Sequence, residues 1–281
     1  NVMPNNFLGL PFAPFVRKQI NTRQNALGKY DNIPSKDLQY YNSKTPFLRL
    51  ASSVNVTNEG PDNTELENSV LKKLINLGYD PEIITGKALA TNCILQGGVV
   101  NTVDTDENGE FSTNASFSGL KSGLNNGSTL SGAYGWGGIS ERGFVPMPGI
   151  INANVQYYNN GALNKAVVNF KCFSKSQFQL IDVLYLRPGY TVLLEFGWSQ
   201  YLDNDGNLQS FSEFYTPPLS KLLNGQSDQF EMNQLISSTK KQHSGNYDAV
   251  YGKISNFNWK FNIDGSYDCS CIITGMGDLI E

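Results

Sequence analysis

The stretch that most constrains this 281-residue chain runs from Ile151 to Cys172. Ile151, Ala153, Val155 and Tyr157 alternate there with Asn152, Asn154 and Gln156. Asn160-Gly161 follows, a dipeptide whose residues both tolerate φ > 0 and so favour a two-residue type I′ turn. Beyond it Ala166, Val168, Phe170 and Cys172 alternate with Lys165, Asn169 and Lys171. A turn centred on Asn160-Gly161 sets Val155 opposite Ala166, Ala153 opposite Val168 and Ile151 opposite Phe170. Every apolar residue then falls on one face, and a slip of one residue would turn the whole set to the other. A chain with this hairpin has to build an antiparallel sheet and cover one side of it.

The same pattern returns near the end. Phe257, Trp259, Phe261 and Ile263 alternate with Asn258, Lys260 and Asn262, and after Asp264-Gly265 come Tyr267, Cys269, Cys271 and Ile273. Parity favours the odd loop Asp264-Gly265-Ser266, with Phe261 opposite Cys269 and Trp259 opposite Cys271. Between the hairpins, Ser174-Lys175-Ser176-Gln177 is a capping box that opens a helix carrying Phe178, Ile181, Leu184 and Tyr185, ended by Pro188-Gly189. Thr191–Ser199 reads as a strand with Val192, Leu194, Phe196 and Trp198 on one face. The expected class is α+β, mostly β: an antiparallel sheet with a helix laid across it. Val168, Phe170, Trp198, Phe257, Trp259 and Phe261 are expected to share its core.

The remaining segments are less regular. Residues 1–45 are polar, punctuated by Pro4, Pro11, Pro14 and Pro34, and read as an extended arm with a helix near Val16–Leu27. The region 46–142 opens on a strand (TPFLRLASSVNV, 45–56). A second capping box at Thr64-Glu65-Leu66-Glu67 then starts a helix through Leu66, Val70, Leu74 and Leu77, and a Gly-rich stretch closes the region. The β domain occupies 143–281, with residues 200–248 read as an inserted loop and a helix near Asp228–Lys240.

Composition narrows the chemistry. Net charge is −4 with no Lys/Arg block, which argues against sequence-specific nucleic-acid binding. No run of about 18 apolar residues occurs, as a membrane-spanning helix would need. The start Asn1-Val2-Met3-Pro4 does not read as a signal peptide. The four cysteines, Cys93, Cys172, Cys269 and Cys271, form no CxxC pair and read as small buried hydrophobes. His243, the single histidine, falls late in a helix and is read as a solvated helix-end group rather than a catalytic base. Glu195 and Asp182 are the one carboxylate pair considered for glycan hydrolysis, but nothing in the sequence sets their separation. Asp104, Asp106 and Asn108, followed by Gly109, match the first half of a calcium loop. Ala115 stands where the loop's closing bidentate Glu is required, so these residues are a weak metal candidate. No cofactor and no enzymatic turnover are expected.

Two segments carry a resemblance. Gly143-Phe144-Val145-Pro146-Met147-Pro148-Gly149-Ile150, with NNGALNKAVVNFKCFSKSQFQLIDVLYLRPGYTVLLEFGWS (159–199), resembles a hub-like virion protein of large tailed phages. GKISNFNWKFNIDGSYDCSCIITGMGDLIE (252–281) is similar to the last hairpin of the tail-tube domain shared by tube proteins and baseplate hubs. The resemblance implies a tail-tube-like β-sandwich or barrel with a flanking helix and long insertions. It also implies a structural role in the tail or baseplate of a virion assembled in the host cytoplasm. Copies would close into a ring around a DNA channel, beside other tail proteins, with three- or six-fold symmetry. Asn160, Gly161, Asp264, Gly265, Trp198 and Trp259 are the structural positions this reading depends on. The competing reading is a secreted or surface β-rich adhesin or glycan-binding module.

Overall fold

The computed structural model describes residues 16–18, 20–21, 46–56, 72, 75–76, 85–98, 148–158, 163–203, 208–211, 215–224 and 228–275. Residues 16–18, 20–21, 72 and 75–76 are helical, inside the two helices expected before residue 80. The capping box at 64–67, most of the Gly-rich stretch, the calcium-loop candidates Asp104, Asp106 and Asn108, and the Asn160-Gly161 turn lie outside the described residues.

The chain is mostly β. Strands β1 (Pro46–Ser52), β2 (Leu95–Gly98), β3 (Gly149–Tyr158), β4 (Leu163–Cys172), β5 (Thr191–Trp198), β8 (Tyr247–Phe261) and β9 (Tyr267–Gly275) form one sheet in the order β2-β1-β5-β8-β9-β4-β3. Every adjacent pair is antiparallel. Strands β6 (Gln200–Leu202) and β7 (Leu208–Ser210) form a separate ribbon. The helices are α1 (Ala88–Asn92), α2 (Lys175–Tyr185), α3 (Pro217–Asn224) and α4 (Gln229–Gln242).

The sheet curls into a half-barrel whose two edge strands approach each other. A Cβ on Gly97 of β2 would sit 2.7 Å from the carbonyl oxygen of Ile150 at the start of β3. Only glycine lets the backbones come that close. On the inner face Ala166, Val168, Phe170, Cys269, Cys271, Ile273, Val192 and Leu194 are buried with α2. Ser174 caps α2 as expected, its Oγ accepting from the Gln177 amide at 3.2 Å, while Gln177 Oε1 accepts from the Phe173 amide at 2.6 Å. The Tyr185 hydroxyl at the helix's end donates toward the carbonyls of Leu50 and Cys93, so one side chain ties α2 to β1 and to the turn before β2.

The first hairpin keeps the expected register, with Val155 opposite Ala166 and Ala153 opposite Val168. One pair is corrected. A bulge between Ile150 and Asn152 puts Ile150, not Ile151, opposite Phe170. Ile150 is buried where β3 meets β2, and Ile151 turns outward. The second hairpin is shifted by two residues from expectation: Phe261 pairs with Tyr267, Trp259 with Cys269 and Phe257 with Cys271. Its turn is Ile263-Asp264-Gly265, closed by Gly265 N–H to the Asn262 carbonyl and Asn262 N–H to the Ser266 carbonyl. A three-residue loop needs its last residue in the left-handed region, and Gly265 sits there at φ 83°, whereas the expected loop would have put Ser266 there. Asp264 Oδ1 accepts from the Ser266 amide and hydroxyl and locks the turn.

The described residues between 200 and 248 build a second layer on the sheet's outer face. Phe211, Leu219, Leu222, Met232 and Ile236 are buried, and Phe211 stacks on Phe47 of β1 at 4.3 Å between ring centroids. This cover explains why β8 begins at Tyr247, ten residues before the alternation visible in the sequence. With both faces covered, Tyr247, Ala249, Val250 and Tyr251 are all buried and no alternation is required.

Candidate assembly surface

The sheet's strands are staggered, and the stagger leaves backbone open. Strand β5 pairs with β8 only over Tyr247–Lys253, and Tyr190 and Gly189 extend the contact to Ile254. From Ser255 to Phe261, β8 has a strand partner on the β9 side alone among the described residues. Asn262 and Ser266 form a hydrogen-bonded pair, so by antiparallel alternation the backbone groups of Phe261, Trp259 and Phe257 point away from β9. The Phe257 amide is taken by the Asn256 side chain at 2.8 Å. At the other end of the sheet, residues 152–158 of β3 pair only with β4 among the described residues. Such edges are templates for a further strand.

The open part of β8 carries aromatic rings on its inner face. Trp259 is 46% exposed and Phe261 57% exposed, with Ile263 fully exposed at the turn. Phe178 of α2 lies 5.1 Å from the Trp259 ring and stacks on Tyr267 at 4.4 Å, and Phe261 lies 5.0 Å from Tyr267. The rings form one cluster rather than scattered exposure, the kind of patch that marks an interaction site. Of the six residues expected to share the core, Val168 and Phe170 are in it and Phe257 packs half-buried against it, whereas Trp198, Trp259 and Phe261 are exposed. The alternation is real, but β8 outruns the helix that would have covered it.

The groups considered for chemistry are placed elsewhere. Glu195 is buried on the outer face of β5, where it forms an ion pair with its cross-strand neighbour Arg49 at 3.0 Å. Thr216 Oγ1 and the Tyr247 hydroxyl both donate to Glu195 Oε1. Burial and the Glu195 charge push the Tyr247 phenol well above its usual range. Asp182 sits on α2 at the other face, paired with Arg187 at 3.0 Å, so the two carboxylates do not share a site. His243 is not solvated as expected but buried beneath the outer layer. Its Nδ1 lies 2.9 Å from the Tyr201 hydroxyl, with Phe211 at 4.7 Å between ring centroids. The helix α4 folds back over the sheet, which carries its C-terminal histidine inward. All four cysteines are free and buried. Burial pushes the Cys271 thiol up to about 12 and raises Cys93 further, so neither is a ready nucleophile. Among the described residues no cluster of His, Cys, Asp and Glu could hold a metal ion. No helix among them is long and apolar enough to cross a membrane.

The buried Arg49–Glu195 pair escaped the sequence because its partners come together only through the β1–β5 pairing. The open β8 edge escaped it because strand offsets are invisible in alternation. Comparison with known proteins finds no family model, no curated protein and no solved structure that matches the chain.

Proposed function

We propose that this chain is a non-enzymatic structural subunit of a tailed-phage particle, a baseplate hub or tail-tube-associated protein with a tail-tube-like sheet, whose copies join edge to edge in a closed ring. The observation that carries the reading is the pair of edges on one sheet that have no second strand partner among the described residues. The edge of β8 at 255–261 and the edge of β3 at 152–158 are of matching length and matching character. Phe257, Trp259 and Phe261 face inward on one, as Ala153, Val155 and Tyr157 do on the other. Outward, Asn256, Asn258 and Lys260 would meet Asn152, Asn154 and Gln156. β3 and β8 run in opposite directions within the sheet, so β8 of one copy can follow β3 of the next as one more antiparallel strand. Such a head-to-tail contact closes into a ring when the rotation between copies is right.

The resemblance of residues 143–150, 159–199 and 252–281 to hub and tube proteins supports the same assignment. The resemblance implies a location in the virion, with its own copies and other tail or baseplate proteins as partners. Each copy should bury more than about 1,000 Å² against its neighbours. Native mass spectrometry of the purified chain at micromolar concentration is the test. A closed trimer or hexamer is expected. A stable monomer would overturn the reading and favour a surface adhesin or glycan-binding module, whose exposed aromatics would then serve a ligand.

A further inference from the structure

A hydrogen-bonded bridge spans the hollow of the half-barrel. The Tyr157 hydroxyl, near the end of β3, lies 3.4 Å from Asp248 Oδ2 at the start of β8. The same carboxylate oxygen accepts from Lys240 Nζ of α4 at 2.5 Å. Strands β3 and β8 are separated by β4 and β9 in the sheet. In a flat sheet the strand spacing alone would put their backbones about 14 Å apart, and the stagger would add more. Tyr and Asp side chains cannot reach across that gap, so the contact exists only because the sheet is curled.

At its other end β3 is held by the close approach of Ile150 to Gly97 of β2. Between these two points β3 has only β4 as a strand partner among the described residues. The direction of the open β3 edge is therefore set by the Gly97 contact at one end and by Tyr157 at the other. Asp248 is in turn fixed by α4, the helix that covers the outer face. Tyr157 is half exposed, and its partial burial and the adjacent Asp248 charge raise the phenol, so it remains a hydrogen-bond donor at ordinary pH.

We propose that Tyr157, Asp248 and Lys240 form a strut that fixes the curl of the sheet and so pre-sets the β3 edge to receive the β8 strand of a second copy. The inference rests on the edge-to-edge reading above and assigns Tyr157 a positioning role. An edge held in one direction loses less freedom when a strand adds to it, which favours association without any new contact.

Tyr157→Phe tests this, because it keeps the ring and removes only the hydroxyl. Hydrogen exchange on the isolated subunit should quicken at the amides of 152–158 and stay unchanged in β9. The concentration at which rings form should rise about threefold, the scale of a lost hydrogen bond at a half-exposed site. The melting temperature of the subunit should move by no more than about 3 °C. Asp248→Asn, which keeps an acceptor for Tyr157 but loses the Lys240 ion pair, should fall between wild type and Tyr157→Phe. If wild type forms rings and Tyr157→Phe forms them equally well, the strut is refuted while the ring reading stands. If wild type stays monomeric, the ring reading fails and takes the strut's role with it.

Discussion

Glu195→Ala is expected to destabilise the subunit by about 3–5 kcal/mol, a large share of the stability a domain of this kind has. Arg49 is fully buried at 0% exposure and Glu195 at 1%, directly opposite each other on β1 and β5. Removing the carboxylate takes the paired charge from a buried guanidinium that lies between the sheet and the α3–α4 layer, near the Phe47 and Phe211 rings. It also takes the common acceptor from Thr216 and Tyr247. The cost thus comes from the charge left behind rather than from the strength of the pair. Replacing both partners by apolar residues, Arg49→Met with Glu195→Leu, should recover most of the loss. Urea denaturation of wild type and the two variants measures it. A single variant within about 1 kcal/mol of wild type would mean that water reaches Arg49 and that the outer layer is not closed.

Trp259→Ala is expected to act on assembly rather than on folding. A fully buried tryptophan would cost about 3–5 kcal/mol on truncation. Trp259 is nearly half exposed, and roughly 1 kcal/mol is the expected loss in the isolated subunit. At the junction between copies the same ring would be covered by the inner face of a neighbouring β3. A central aromatic anchor there contributes about 2 kcal/mol or more, so each junction should weaken at least roughly thirtyfold. Rings lost at concentrations where wild type assembles, with near-normal thermal unfolding of the subunit, would fit. Loss of folding in proportion to loss of assembly would instead place Trp259 in the core.

How far the sequence could be read depends on what each position must satisfy. Alternation across Asn152–Cys172 fixes parity, and parity fixed the Val155–Ala166 register because one face had to be buried. The bulge at Ile151 escaped because Ile150 and Ile151 are interchangeable as letters, and only the approach of Gly97 decides which turns inward. In the second hairpin the odd loop length was legible, but its placement was decided by the φ of one residue, Gly265. The eight-residue helix α3 and the start of β8 were missed for a shared reason. Both lie in a part of the chain buried on two sides or packed between layers, where neither the period of a strand nor that of an exposed helix is imposed. His243 was misplaced because a helix end reads as solvated until the fold lays it against Phe211 and Tyr201. The assembly edge depends on where β5 stops relative to β8, a nonlocal offset that no local pattern encodes.

The claim that β8 of one copy lies beside β3 of the next is tested most directly by disulfide cross-linking between the outward positions of the two edges. Asn258→Cys would be combined in turn with Asn152→Cys, Asn154→Cys and Gln156→Cys, which step through the possible registers two residues at a time. The four native cysteines are buried and should stay out of the reaction. Mild oxidation of the assembled protein should give, for one of the three combinations, a ladder of covalent oligomers reaching the full ring, with no ladder from any single variant. Covalent dimers from Asn258→Cys alone would mean that two β8 edges meet across a two-fold axis. Rings that form but cross-link in no combination would show that the copies associate through another surface, and either result would contradict the account.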